Sequence, residues 1–217
     1  LIPIAYNKGI SGGEAMANNE IRVPKQKRSI EKKNGIIKAG YDLFCEKGFY
    51  KTNTAEVAKA AGVSTGIVYN YFSDKNDILI EVVKLYISHL KDRFSVIVES
   101  PIHKENIGSI IEQFIDVSIS SHTMTIEAHN EFLALSMLER DIQEVFSQFE
   151  NTTLETIRDK LLSAGFSNVD LLVKLKMSYG IVEHLCHEYI RCNSTDEELS
   201  KVKALAVSII TGLFKHT

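Results

Sequence analysis

Tryptophan is absent from this chain of 217 residues, and proline and cysteine are scarce, with three of each. Proline has no backbone N–H and interrupts helices and sheets alike, so its scarcity leaves room for long uninterrupted helices. The cysteines, Cys45, Cys186 and Cys192, are odd in number and form no C-x-x-C pair. They outline no disulfide framework, and the simpler expectation is buried thiols in a reducing cytosol. No run of 18 apolar residues occurs, so no membrane span is expected. The N-terminus shows no long apolar core behind a basic start, which argues against a signal peptide. The expected location is therefore cytoplasmic.

What is present is ordinary for a globular protein: 44% hydrophobic and 24% charged residues. The charge is unevenly spread. Residues 25–75 carry ten Lys/Arg against five acids, whereas residues 76–217 carry 13 against 21. A basic segment joined to an acidic remainder suggests that the first part alone faces a polyanion.

Apolar spacing predicts an all-α fold. Residues 1–24 hold no sustained period and read as a flexible leader, and those before Met16 are set aside. A first helix is expected over about Ser29 to Lys47, stopped by Gly48. Asn53 with Glu56 three residues on forms a capping-box pattern for a short helix from Thr54 to Ala61. Another helix begins at Ser64 and ends near Phe72, and Ser73 or Asp74 caps a long fourth. Further helices are expected over Ile107 to Ser121, Thr125 to Leu138, Asp141 to Ala164, Asn168 to Arg191 and Asp196 to Lys215. The last two, amphipathic and joined by a short polar turn, read as an antiparallel hairpin.

The stretch from Thr52 to Lys75 reads TNTAEVAKAAGVSTGIVYNYFSDK. Its two short helices meet at Gly62, suited to a left-handed turn. Ala58 and Ala61 permit close approach, and Val57, Val63, Val68 and Phe72 supply an apolar joint. Ser64, Thr65, Gly66, Tyr69 and Asn70 are left on the outer face of the second helix, a small polar surface suited to the major groove.

Through AGYDLFCEKGFYKTNTAEVAKAAGVSTGIVYNYFSDKNDIL, and above all V-S-x-G-x-x-Y-x-Y-F-x-x-K from Val63 to Lys75, the sequence resembles the tetracycline-repressor (TetR) family of transcription regulators. The match is close over residues 29–80; beyond them it extends only to length and helical character. The resemblance implies a DNA-binding domain over 25–73 and a helical ligand-binding and dimerisation domain over 74–217. It implies phosphate contacts from Thr52, Asn53, Tyr69, Tyr71 and Lys75, with Thr65 and Gly66 at the groove wall and base edges. Ile67 stands where the family often has a smaller or polar residue; it either touches a thymine methyl or packs back against the preceding helix. Residues Lys25 to Lys33 read as a solvated tail or a minor-groove arm.

The same resemblance implies a small-molecule effector pocket in the C-terminal domain. Candidates to line it are His122, His129, Phe132, Leu135, Met137, Phe146 and Phe149, whose aromatic and Met content leans towards an apolar effector. The expected partners are double-stranded operator DNA, that effector, and a second copy of the chain through the last two helices, with no membrane. The alternative for those helices is closure of a monomer core. No cofactor, metal or catalytic residue is expected: His184 and His187, three apart, lack a third ligand and do not have the H-E-x-x-H spacing. The rival readings are an activator or ligand-independent regulator of the same fold, a sequence-indifferent DNA-binding protein, and a metal-dependent enzyme using His184 and His187.

Overall fold

The computed structural model describes residues 22–124, 126–192 and 195–215, and among them finds helices and no strand. In chain order these are α1 (Arg22–Lys47), α2 (Thr54–Ala60), α3 (Thr65–Val68), α4 (Lys75–Glu99), α5 (Ile107–Met124), α6 (Ile126–Leu138), α7 (Arg140–Ser163), α8 (Leu171–Cys192) and α9 (Asp196–Lys215). The expected leader lies outside the described residues except for its last three, which begin α1. α1 thus reaches back across the basic lead-in, with Pro24 in its first turn, where the missing N–H has no intrahelical partner to lose. Residues 27–33 are helical rather than an extended arm, and Lys33 pairs with Glu81 at 3.2 Å.

The local signals act as their chemistry dictates. Asn53 and Glu56 exchange reciprocal hydrogen bonds of 3.0 Å and complete a capping box. Ser64 accepts from the Ile67 N–H and caps α3, and Asp74 accepts from the Asn76 and Asp77 N–H groups and caps α4. Gly62 sits at φ +67° between α2 and α3, where a side chain would be strained. α3 is shorter than the sequence suggests: Tyr69 to Phe72 continue as turns held by i→i−3 and i→i−4 bonds.

Two apolar cores organise the chain. The first joins Ile36, Ile37 and Phe44 of α1, Val57 of α2, Val68 of α3 and Ile78, Leu79, Val82 and Val83 of α4. It continues into Ala128, Phe132 and Leu135 of α6 and Ile142 of α7. The boundary expected at 73/74 therefore falls just ahead of a helix whose first half completes the core of the motif. The second core gathers α5, the later part of α7, α8 and α9 around Ile115, Leu161, Leu171 and Ile210. α1 crosses α4 at Gly40, where an added Cβ would lie 2.9 Å from Ile78 Cγ2 and 3.2 Å from Val82 Cγ2.

Candidate functional site

Two surfaces and one cavity carry the chemistry. On the α2–α3 unit, Ser64, Gly66, Tyr69 and Asn70 are exposed and Thr65 and Ile67 half-exposed. Tyr69 keeps 56% of its surface although it is aromatic. Around Gly66 there is open space: an added Cβ would meet only Ser64 Oγ, at 3.9 Å. Asn53 is exposed but its side-chain oxygen serves the cap. Tyr71 is half-buried against the core and its hydroxyl shares a 3.1 Å hydrogen bond with Ser29 Oγ.

Two residues expected at the phosphates are used differently. Thr52 is 2% exposed, and its hydroxyl donates to the Gly48 carbonyl. Lys75 turns inward from the start of α4: its ammonium donates to the carbonyls of Phe49 and Thr52, each at 2.8 Å, and lies 4.1 Å from the centre of the Phe49 ring. Burial lowers its pKa. Thr52 closes the α1–α2 loop on itself and Lys75 fastens it to α4, because that loop has carbonyls no helix satisfies. The same loop is held from α6: Glu131 Oε1 accepts from the Phe49 N–H at 2.6 Å, and the Tyr50 hydroxyl donates to Glu139 just after α6, also at 2.6 Å.

A cavity of about 400 Å³ lies among α4, α5, α7, α8 and α9. Phe94, Ile111, Phe114, Phe149, Leu161 and Val182 make its wall predominantly apolar, while Ser118, Tyr179 and Glu183 bring polar groups to it. Of the seven residues expected at a pocket, Phe149 lines it. Phe132 and Leu135 are instead buried in the first core, with Phe132 tilted against Tyr86. Phe146 packs beside Tyr86, and Met137 is 76% exposed on the surface. On α6, Phe132 faces Tyr41 of α1 and Tyr86 of α4 and with Leu135 joins the first core, which is why these positions miss the cavity.

His122 and His129 also miss the cavity wall but meet each other, with ring centres 4.2 Å apart. His187 joins them from α8, 5.4 and 5.1 Å away. Glu183, one turn before His187, places Oε2 3.5 Å from His122 Nε2 and 3.7 Å from His187 Nε2. His184, paired with His187 on spacing alone, is exposed and lies outside this group. The sequence places Glu183 in the same His-rich segment, and its i,i+4 spacing to His187, rather than the spacing of His184, is the one that joins the group. Burial opposes charge on His122, but the Cys186 thiol and the Glu183 carboxylate beside it carry its pKa up to about 10. Burial and then the neighbouring His122 push His129 down to about 4. Burial also opposes the charge of Glu183, yet the histidines hold it below the ordinary carboxylate range. Tyr179 is raised by burial and by Glu183, to which it is hydrogen-bonded.

The second surface lies on the last two helices. Val173 and Met177 of α8, with Val169 just before it, stand exposed four residues apart, and Val202, Leu205 and Ile209 of α9 are exposed as well.

The profile of the family described as bacterial regulatory proteins, tetR family, matches residues 36–82, from the buried face of α1 into α4. A TetR-family transcriptional regulator from Mesorhizobium loti MAFF303099 has the same fold, with a TM-score of 0.67 at 18% identity, over 86% of this chain and 98% of that one. Residues 36–82 thus carry the DNA-binding domain of the TetR family. A chain carrying that domain is a DNA-binding transcription regulator. The fatty acid metabolism regulator protein of Bacillus subtilis (strain 168) is 23% identical over 197 residues, 87% of this chain and 98% of the relative. The structure of the fatty acid degradation regulator FadR from Bacillus halodurans aligns at a TM-score of 0.59 and 20% identity, over 85% of this chain and 95% of that one.

Proposed function

We propose that this TetR-family protein is a cytoplasmic homodimeric repressor, released from a palindromic operator when an acyl-type small molecule fills the apolar cavity. The observation that carries this reading is that α4 serves both sites. Its first half completes the motif core through Ile78, Leu79 and Val82, and its second half walls the cavity through Leu90, Phe94 and Ile97. A ligand that alters the tilt of α4 thereby biases the position of α3. Its effect on DNA is limited to its differential affinity for the two arrangements. The cavity's lining suits a hydrocarbon chain with one polar end near Ser118, Tyr179 and Glu183, and the names of the two Bacillus relatives point to the same ligand class.

On the DNA side, Thr65, Gly66 and Ile67 are assigned to the groove. Tyr69, Asn70, Ser64, Asn53 and Tyr71 are assigned to its walls and phosphates, where contacts position the protein without reading sequence. The exposed faces of α8 and α9 are assigned to a four-helix bundle with a second copy. Two α3 helices then lie about one DNA turn apart, roughly 34–36 Å. The test is fluorescence anisotropy on the promoter beside its own gene against random DNA, at near-physiological salt, with a long-chain fatty acid and its coenzyme A ester as probes. Promoter-preferring binding weakened by one probe is expected. Tight specific binding indifferent to both would overturn the acyl-effector assignment.

A further inference from the structure

We propose that His122, His129, His187 and Glu183 form a binding site for one divalent transition-metal ion of the zinc type. One ligand atom from each lies within 4.8 Å of the others. Tetrahedral zinc with bonds of about 2.0–2.2 Å sets its ligands about 3.3–3.6 Å apart, so the four side chains need to close by roughly an ångström. Three imidazoles and one carboxylate suit zinc and its neighbours, whereas calcium and magnesium require oxygen ligands.

The orientation of the rings is an independent observation. His122 Nδ1 is 2.8 Å from the Ser118 carbonyl and therefore carries the proton it donates there. Its Nε2 faces the cluster, 3.5 Å from Glu183 Oε2, and gives up its proton when an ion binds. His129 Nδ1 is bonded to the Tyr86 hydroxyl at 3.0 Å. In both rings Nε2 is buried without a well-directed hydrogen bond among the described residues. A buried polar atom in that condition is destabilising, and here two such atoms sit beside a carboxylate. A cation at their common focus satisfies both and neutralises Glu183. Metal-binding histidines are typically held this way, with the far nitrogen fixed by a carbonyl or hydroxyl. Tyr179 does the same for Glu183. The ligands come from α5, α6 and α8, and Tyr86 comes from α4, so the bound ion ties four helices together at the wall of the cavity. This site stands whether or not the cavity takes an acyl ligand.

The experiment uses the full chain without a histidine tag, stripped with a chelator and titrated with Co²⁺ and then Zn²⁺. One Co²⁺ per chain with the visible absorption of a tetrahedral ion is expected, displaced by one Zn²⁺, with a rise in Tm. His187→Ala, at a partly exposed position, should weaken binding by at least about 100-fold, and Tyr86→Phe by about 10–100-fold. His184→Ala should leave it unchanged. Folding of each variant is checked by circular dichroism without metal. Absence of the tetrahedral spectrum, binding well below one ion per chain, or equal losses in His184→Ala and His187→Ala would overturn the proposal.

Discussion

Lys75 offers the sharpest separation between two physical roles. If its ammonium meets a DNA phosphate, removing it weakens DNA binding and leaves the fold alone. If it fastens the α1–α2 loop, removing it destabilises the protein and leaves phosphate contacts intact. Two hydrogen bonds from one charged donor and a close aromatic face favour the second role. A bond to a charged group contributes about 1.5–3 kcal/mol, and a cation over a ring at a partly exposed site about 0.5–1 kcal/mol. The two bonds and the ring contact sum to about 3.5 kcal/mol at the lower ends of those ranges; discounted further for partial exposure, Lys75→Met, which keeps the stem, is expected to cost about 2–3 kcal/mol. For a chain of this length that lowers Tm by roughly 4–12 °C. The assay pairs thermal unfolding with the salt dependence of operator affinity, measured well below the variant's Tm. Loss of a phosphate contact would reduce the slope of log K against log salt by about 0.9; loss of the latch leaves the slope unchanged. A variant with wild-type Tm and a shallower slope would refute the internal role.

Three other perturbations separate fold from function in the same spirit. Gly66→Ala meets open space and should keep or raise stability, by up to about 1 kcal/mol from helix propensity, while weakening operator binding at least about tenfold in anisotropy; unchanged affinity would remove Gly66 from the interface. Leu205→Glu on α9 should convert the dimer to monomer by light scattering, since it places a charge in the apolar face; a dimer that persists would remove this face from the dimer interface. Burial and then the Asp42 charge raise the Cys45 thiol from 9.0 to about 11. Its alkylation at pH 8, followed by peptide mass spectrometry, should then run about 100-fold slower than that of a free thiol. Because the folded pKa is the higher one, this group's contribution to stability is intact below pH 9 and is lost as pH rises towards 11; a Tm that held constant across that window would contradict the shift.

The sequence was most legible where local chemistry decides the structure. Asn53 with Glu56, Ser64, Asp74 and Gly62 each act on backbone within four residues, and each cap and turn they predict is present. The pocket was less legible because it depends on how a helix is rotated. Phe132 and Phe149 have the same composition signal, yet α6 turns the first into the motif's core and α7 turns the second to the cavity. Thr52 and Lys75 were read as phosphate contacts because polar residues at helix starts suit that task. Which way each points is fixed by unsatisfied carbonyls on the neighbouring loop, and a one-dimensional pattern does not display those. The histidine cluster was hidden for the same reason: its members are drawn from three helices, and only Glu183 and His187 share one.

α6 would give the proposed effector a second route to the DNA-binding motif, alongside α4. His129 and Glu131 are two residues apart on it. The first faces His122, His187 and Tyr86; the second holds the Phe49 N–H at the root of the motif, beside the carbonyl that Lys75 also grips. The loop between α1 and α2 is therefore clamped from two sides, by Lys75 on α4 and by Glu131 on α6. A ligand that moves either helix must break or carry along the other's hydrogen bond, because a packed interior shifts between discrete arrangements rather than bending continuously. Glu131→Gln keeps an acceptor for Phe49 but removes its charge, so it weakens this clamp without opening a cavity. The expected result is a regulator whose operator affinity is reduced several-fold without any ligand and whose further response to the proposed effector is smaller. An unchanged ligand response in Glu131→Gln, with Lys75 intact, would mean that α4 alone transmits the signal.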